Sequence, residues 1–256
     1  MDTDRLAWDR YLAVVTAESA RLADTADGLL DAPVPSCPGW TVDTLVRHVA
    51  GVYRHKVLAV RHGVEPDLGD DGIPSADPDP VTDLRLAAAE LVTQLAASDP
   101  SATGWTWAPD DQTHGFWFRR MAHETVVHRI DAELARCAAT GRDCATDVDV
   151  DVALDGVDEF LALFVGGSWA ESGIVPQHPV DASVRLTAEG RSWTVRVDTA
   201  AVLTEPGTEG DVDAEVAGSA GDLLAWVWGR VPADGLSVSG DEQAVAELRA
   251  RFAELS

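Results

Sequence analysis

Residues 116–138, FWFRRMAHETVVHRIDAELARCA, read as a single helix, and the order of their ionisable groups decides how the N-terminal half of this chain is understood. His123 and His128 are five residues apart, about 140° around an α-helix, so they cannot share a metal as i, i+4 histidines do. The segment therefore departs by one residue from the H-E-x-x-H motif of zinc hydrolases. Glu124 and His128 are four apart, about 40° around the helix, and do share a face. The stripe Met121, Glu124, His128, Asp131 and Ala135 points one way, beside Val127 and Leu134, toward the expected core.

A second helix is expected from Thr41 to Arg61. Thr41 is placed to cap it, Asp43 lies in its first turn, and Trp40 and Leu45 have the spacing of a hydrophobic staple. Leu45, His48, Val52, His55 and Ala59 share a stripe, so at least one imidazole turns toward the interior. Unpaired ionisable groups facing a core cost several kcal/mol each, and spacing leaves two resolutions open. In one, a divalent metal is held between helices by two histidines and a carboxylate, leaving the open position of catalytic zinc. In the other, Glu124–His128 is a surface helix pair worth a few tenths of a kcal/mol and His48 is a core histidine bonded to a carbonyl.

Working outward, Trp8, Leu12, Val15, Ser19 and Leu22 mark a first helix, ended by DAPVPSCPGW (Asp31 to Trp40). Leu84, Ala88, Leu91 and Leu95 mark a third, after a Gly/Asp/Pro-rich loop from Gly63 to Pro80. Four such helices imply a bundle. The character changes after Thr140. Val148 to Val165 remains helical, Ala182–Thr187 and Ser192–Val197 alternate as a hairpin around Ala188–Arg191, and short strands are expected near Val202 and over Val212–Val216. Ser219–Gly229 and Asp241–Leu255 read as helices around VPADGLSVSG. The expected fold is an all-α domain over 1–142 followed by a smaller α+β domain over 143–256.

The 256 residues carry 44 acidic and 19 basic side chains, a net charge of −25, with no basic patch. That excludes nucleic-acid backbones and anionic membranes as partners. No run approaches the ~18 apolar residues of a membrane span, and the N-terminus shows no signal-peptide core. Three cysteines, Cys37, Cys137 and Cys144, without a C-x-x-C pair argue against a disulfide framework and fit a reducing cytoplasm. Any metal site must then be built from His and carboxylates.

Pro38-Gly39-Trp40-Thr41-Val42 with Leu45 and His48, then His123-Glu124-x-x-x-His128-Arg129-x-Asp131-Ala132-Glu133, resemble the mycothiol-dependent maleylpyruvate isomerase family, whose N-terminal domain is a DinB-like four-helix bundle. Ala217-Gly218-Ser219-Ala220-x-Asp222-Leu223-Leu224-x-Trp226-x-Trp228-Gly229-Arg230 and Ser239-Gly240-Asp241 resemble its C-terminal domain. The resemblance implies that His48, Glu124 and His128 bind zinc or another divalent metal, and that Arg230 holds an anionic substrate. It also implies mycothiol, the small thiol of actinobacteria, as cofactor. A metal-held thiolate attacking a small electrophile is the chemistry so implied. The sequence reading favours a thiol S-transferase. The alternative is an isomerase in which the thiol adds to a conjugated cis double bond, allows rotation and leaves. A non-catalytic ligand-binding protein is the rival from another class, and water activation for hydrolysis would use the same ligands.

The remaining candidates have bland readings. His55, one heptad from His48 and about 10 Å along the helix, reads as a polar core residue. His62 reads as a helix-end cation, His123 as packing, and Cys37 as a buried structural thiol. Asp131 is placed to orient His128 or to pair with Arg129. Trp105, Trp107 and Trp117 read as core bulk, and Asp67–Pro80 as a solvated connection.

Overall fold

The computed structural model describes residues 5–68, 73–141, 147–165, 167–168, 181–197, 201–207 and 210–254. The chain divides into two compact units, Met1–Ala145 and Thr146–Ser256.

The first unit is the expected bundle of α1 (Trp8–Ala26), α2 (Val42–His62), α3 (Pro80–Ala96) and α4 (His114–Thr140). Local chemistry sets the helix ends. Thr41 Oγ1 accepts the Thr44 N–H at 3.4 Å, and Asp79 accepts the Thr82 N–H at 2.8 Å with Pro80 in the first turn. Gly63 and Gly141 stop α2 and α4 in the left-handed region, at φ 70° and 67°, where the absence of a Cβ removes the steric cost. α1 packs on α4 and α3, and α2 on α3 and α4, closing a ring of four helices. Tyr11, Val15 and Leu22 of α1, Leu45, Val49 and Tyr53 of α2, Leu84 and Leu91 of α3, and Trp117 and Val126 of α4 are fully buried at its centre.

Two features of this unit differ from the sequence reading. The buried face of α1 keeps Val15, Ser19 and Leu22 of the expected stripe and adds Tyr11 and Val14, whereas Trp8 at its start is 40% exposed and rests edge-on against Phe118, 5.6 Å between ring centres. The Tyr11 hydroxyl accepts the Leu6 N–H at 3.2 Å, so burying the phenol leaves no unmet polar group. Cys37 is a free thiol, whereas Cys137 is disulfide-bonded, a cross-link the sequence reading did not expect.

Charged groups also tie the bundle together. Arg54 on α2 reaches Asp83 on α3 through two bonds of 2.9 and 2.6 Å. Asp83 accepts the Ala76 and Asp77 N–H groups as well, at 2.6 and 3.0 Å, which pins the second half of the preceding loop. Arg129, fully buried on α4, donates to Glu18 of α1 at 2.5 Å and to Glu133 at 2.7 Å.

In the second unit α5 (Val150–Glu159) runs on into a π-helical turn, Phe160–Val165. A sheet ordered β1-β4-β3-β2-β5-β6 follows, built from β1 (Gly167–Ser168), β2 (Ala182–Ala188), β3 (Arg191–Val197), β4 (Ala201–Pro206), β5 (Ala214–Gly218) and β6 (Ser237–Gly240). The β2–β3 hairpin turns on Glu189 and Gly190, at φ 50° and 78°, the positive-φ pair that matches strand twist. Val184, Leu186 and Ala188 lie in parallel register with Ala214, Val216 and Gly218. The buried members of these pairs make an apolar face on which α6 (Ala220–Val227) and α7 (Glu242–Ala253) pack. The strand expected over Val212–Val216 begins two residues later, and β1 and β6 lie where no strand is expected. All four residues of β6 are exposed at the sheet edge, so no alternation marks it. No helix among the described residues is long and apolar enough to cross a membrane.

The Asp83 carboxyl lies below the ordinary carboxylate range: burial opposes ionisation, but the bonds from Arg54, Asp77 and Ala76 favour the charged form more strongly. Asp83→Asn leaves Arg54 without its counter-charge in the interior and is expected to cost about 3 kcal/mol, read as earlier urea unfolding of the helical circular-dichroism signal. A depressed carboxyl contributes its full stability above the unfolded value, 3.8 for this group, and loses it as pH falls through the folded value. The wild-type protein should therefore lose more stability between neutral pH and about pH 3 than Asp83→Asn does.

Candidate metal centre

The cap at Thr41 sets the phase of α2, and with it the direction in which His48 projects from the second turn. On α4, Glu124 and His128 stack one turn apart. The three side chains meet: His128 Nε2 is 3.2 Å and His48 Nε2 3.6 Å from Glu124 Oε1. One donor atom from each lies within 4.8 Å of the other two, and among the described residues no other His, Cys, Asp or Glu trio converges in this way. Side-chain exposure falls from 38% at His48 through 21% at Glu124 to 12% at His128, so the cluster opens on its α2 side.

Each donor is held by a further group. Arg120, one turn before Glu124, donates to Glu124 Oε2 at 3.0 Å and leaves Oε1 to the imidazoles. Asp131, fully buried, accepts from His128 Nδ1 at 2.9 Å, which directs Nε2 toward Glu124. Ser36 donates to the other Asp131 oxygen at 2.6 Å, and the Cys37 thiol lies 3.7 Å from Oδ2. Both come from the loop before α2, folded back by the Pro33–Thr41 bridge and by bonds from Val34 N–H to Trp40 O and from Trp40 N–H to Cys37 O. Trp40 lies against the imidazoles, 4.9 Å from the His48 ring and stacked 6.4 Å from that of His128.

The electrostatics are those of a cation site. Burial works against ionisation of Glu124, yet the His128, His48 and Arg120 partners hold its carboxyl well below the ordinary range. Burial likewise opposes charge on His128, and the Glu124 and Asp131 carboxylates overcome it, raising the imidazole to about 9. Two carboxylates thus draw positive charge to the point where the donor atoms converge. Two neutral-capable imidazoles and a carboxylate form the donor set of a divalent metal with an open coordination position, and they fit one here.

The other candidates separate clearly. Asp131 orients His128, one of its two expected roles. Cys37 is half-buried against Asp131 instead of fully buried. His55 is half-buried, its Nδ1 3.1 Å from Lys56 Nζ and its ring 5.9 Å from Trp105. Burial and the Lys56 charge lower its pKa to about 4, so it is neutral. His123 is buried edge-on to Tyr11, and His62 is exposed in the last turn of α2. Of the tryptophans, Trp117 is core while Trp107 is 42% exposed. Arg230 belongs to the second unit, just beyond α6, where its guanidinium donates to Trp228 O at 2.6 Å and lies 5.7 Å from the Trp228 ring. Arg120 and Ser36 did not stand out in the sequence. Arg120 lies one turn before Glu124, a signal that spacing contains, whereas Ser36 depends on how the loop folds.

A family model described as the mycothiol maleylpyruvate isomerase N-terminal domain matches residues 12–133, and one described as the MDMPI C-terminal domain matches residues 151–247. Among solved structures the chain is similar to a mycothiol-dependent maleylpyruvate isomerase, 14% identical, covering 92% of this chain and 95% of that one with a TM-score of 0.56. A histidine-to-alanine variant of a mycothiol-dependent maleylpyruvate isomerase matches with the same identity and coverage and a TM-score of 0.57. No curated protein matches. With each of its two units matched by one of the paired domains, the chain belongs to the mycothiol maleylpyruvate isomerase family.

Proposed function

We propose that this protein is a metal-dependent, mycothiol-using enzyme of the cytoplasm that converts a small cis-unsaturated acid of the maleylpyruvate type to its trans isomer. The observation that carries the reading is the convergence of His48, Glu124 and His128 in a chain whose two units both match the isomerase family. Both family models and the two solved structures described above bear the isomerase's name, which favours isomerisation over the S-transferase reading of the sequence.

In this reading His48 Nε2, Glu124 Oε1 and His128 Nε2 hold zinc or another divalent cation. Such a metal supplies an open position at which a thiol is kept as thiolate near neutral pH. Asp131 keeps the His128 proton on Nδ1 and so keeps Nε2 free for the metal. Arg120 fixes the Glu124 carboxylate from its far oxygen. Trp40 covers the imidazoles on their loop side and keeps water from that face. Arg230 is assigned to a carboxylate of the substrate, where a guanidinium also stabilises developing negative charge. The thiol is the nucleophile in this reading, so none is required of the protein's own side chains.

Protein purified without chelator is expected to contain near-stoichiometric zinc or a comparable divalent metal, lost in Glu124→Ala and His128→Ala variants that still fold. A wild-type protein that stays metal-free after zinc is supplied would overturn the reading. Asp131→Ala should keep the three ligands yet weaken metal binding about 10–100-fold, measured by competition with a chromogenic chelator. With maleylpyruvate and mycothiol, the metal-loaded enzyme should convert substrate with no net consumption of thiol; stoichiometric loss of thiol would identify a transferase instead.

A further inference from the structure

The chain contains a single lysine, Lys56, among its 19 basic residues. Its position is unusual for a cation in a protein of net charge −25. Among the described residues no carboxylate lies within ion-pair distance of it. Its ammonium group stands over the Trp117 ring at 4.6 Å and the Trp105 ring at 5.9 Å, and its hydrogen-bond partner is the neutral His55 Nδ1 at 3.1 Å. The platform is rigid. Trp117 is fully buried and donates its indole N–H to Trp105 O at 3.0 Å, and the Trp105 N–H bonds to Gly63 O at the end of α2 at 3.1 Å.

The platform lies on the same seam as the metal centre. His48 of α2 meets His128 and Glu124 of α4, Tyr53 bonds Thr125 at 2.6 Å, and Lys56 meets Trp117. As numbers rise along α2 they fall along α4, so the two helices run antiparallel and Lys56 marks a level beyond the metal ligands. Eight residues separate His48 from Lys56 and seven separate Trp117 from Glu124, each about 10–12 Å along its helix. Lys56, His55 and Trp105 are only half-buried and open to a small molecule. The charged groups that act on Lys56 are Glu124 and Glu65, which favour its protonation, and Arg120, which opposes it. Burial, with Arg120 acting the same way, outweighs the two glutamates and lowers the amine to about 8, so it is mostly cationic at neutral pH.

An aromatic platform holds a cation in place without neutralising it as a carboxylate would. We infer that Lys56, carried on Trp105 and Trp117 and steadied by His55, binds a carboxylate of the substrate at the far end of the α2–α4 seam from the metal ligands. The inference rests on the proposed reading in that the rest of the ligand lies toward the metal. It gives the first unit a cationic partner of its own for a carboxylate of the substrate.

Maleate, a small cis-dicarboxylate, is the probe, titrated calorimetrically into the zinc-loaded full chain. Lys56→Met is expected to weaken maleate binding by about tenfold or more, and Lys56→Arg to retain most of it. Zinc content should be unchanged in both. Unchanged maleate affinity in Lys56→Met, or no maleate binding by the wild-type protein, would overturn the inference. Should Lys56→Met fail to fold, acetylation of wild-type Lys56, separated from the N-terminal amine by peptide mass mapping, decides the matter: maleate slows it if the inference holds and leaves it unaffected otherwise. Lys56-dependent maleate binding in a protein that shows no thiol-dependent isomerisation would retain the carboxylate subsite while removing the isomerase reading.

Discussion

A carboxylate placed inside a helical bundle is the constraint around which the first unit is arranged. Glu124 is surrounded by Arg120, His128 and His48, and each is there because an ionised group away from water must be answered by opposite charge or by hydrogen-bond donors. The reply is graded. Arg120 takes one oxygen permanently, while the two imidazoles share the other and can give it up. That division between a fixed partner and an exchangeable one separates a binding centre from a structural ion pair such as Arg54–Asp83, where every partner is committed.

The loop before α2 completes the arrangement from outside. Its bridge and turns bring Ser36 and Cys37 to Asp131 and set Trp40 against both imidazoles. The histidine on α4 is therefore oriented by a residue of its own helix that is in turn held by a distant segment. The order runs from loop fold to Asp131, to the His128 ring, to the direction of Nε2. A displacement of this loop would act on the metal centre without touching a ligand.

Much of this was legible before any coordinates. Glu124 and His128 one turn apart on one stripe, and His48 on the inward stripe of α2, follow from helical spacing. Their convergence required the family resemblance, because spacing within one helix says nothing of which helix faces it. The helix cap at Thr41 and the hairpin at Glu189–Gly190 are local chemistry and were readable as such. The errors have physical causes. The expected stripe of α1 begins at Trp8, but Tyr11 on the same face is the ring that is buried, its hydroxyl accepting the Leu6 N–H, and Trp8 stays partly exposed. β6 carries no alternation because both of its faces are exposed. Lys56 drew no notice because a lone lysine on a helix resembles solvated charge, and the tryptophans that hold it come from elsewhere in the chain.

The helix that carries Glu124 and His128 is buried on nearly all sides, from Gly115 to Ala135, and among its buried residues are Arg119, Arg120, Arg129, Asp131 and Glu133. Such a helix gains little from partial docking, since its charges must leave water before their partners are in place. Arg129 finds Glu18 across 111 residues of chain, and Arg21 finds Glu133 across 112. Contacts of that span close late, because the loop entropy is lost before they form. The bundle is therefore completed only where α1 and α4 meet, and a chain truncated before α4 would hold three helices without the element on which two of them pack.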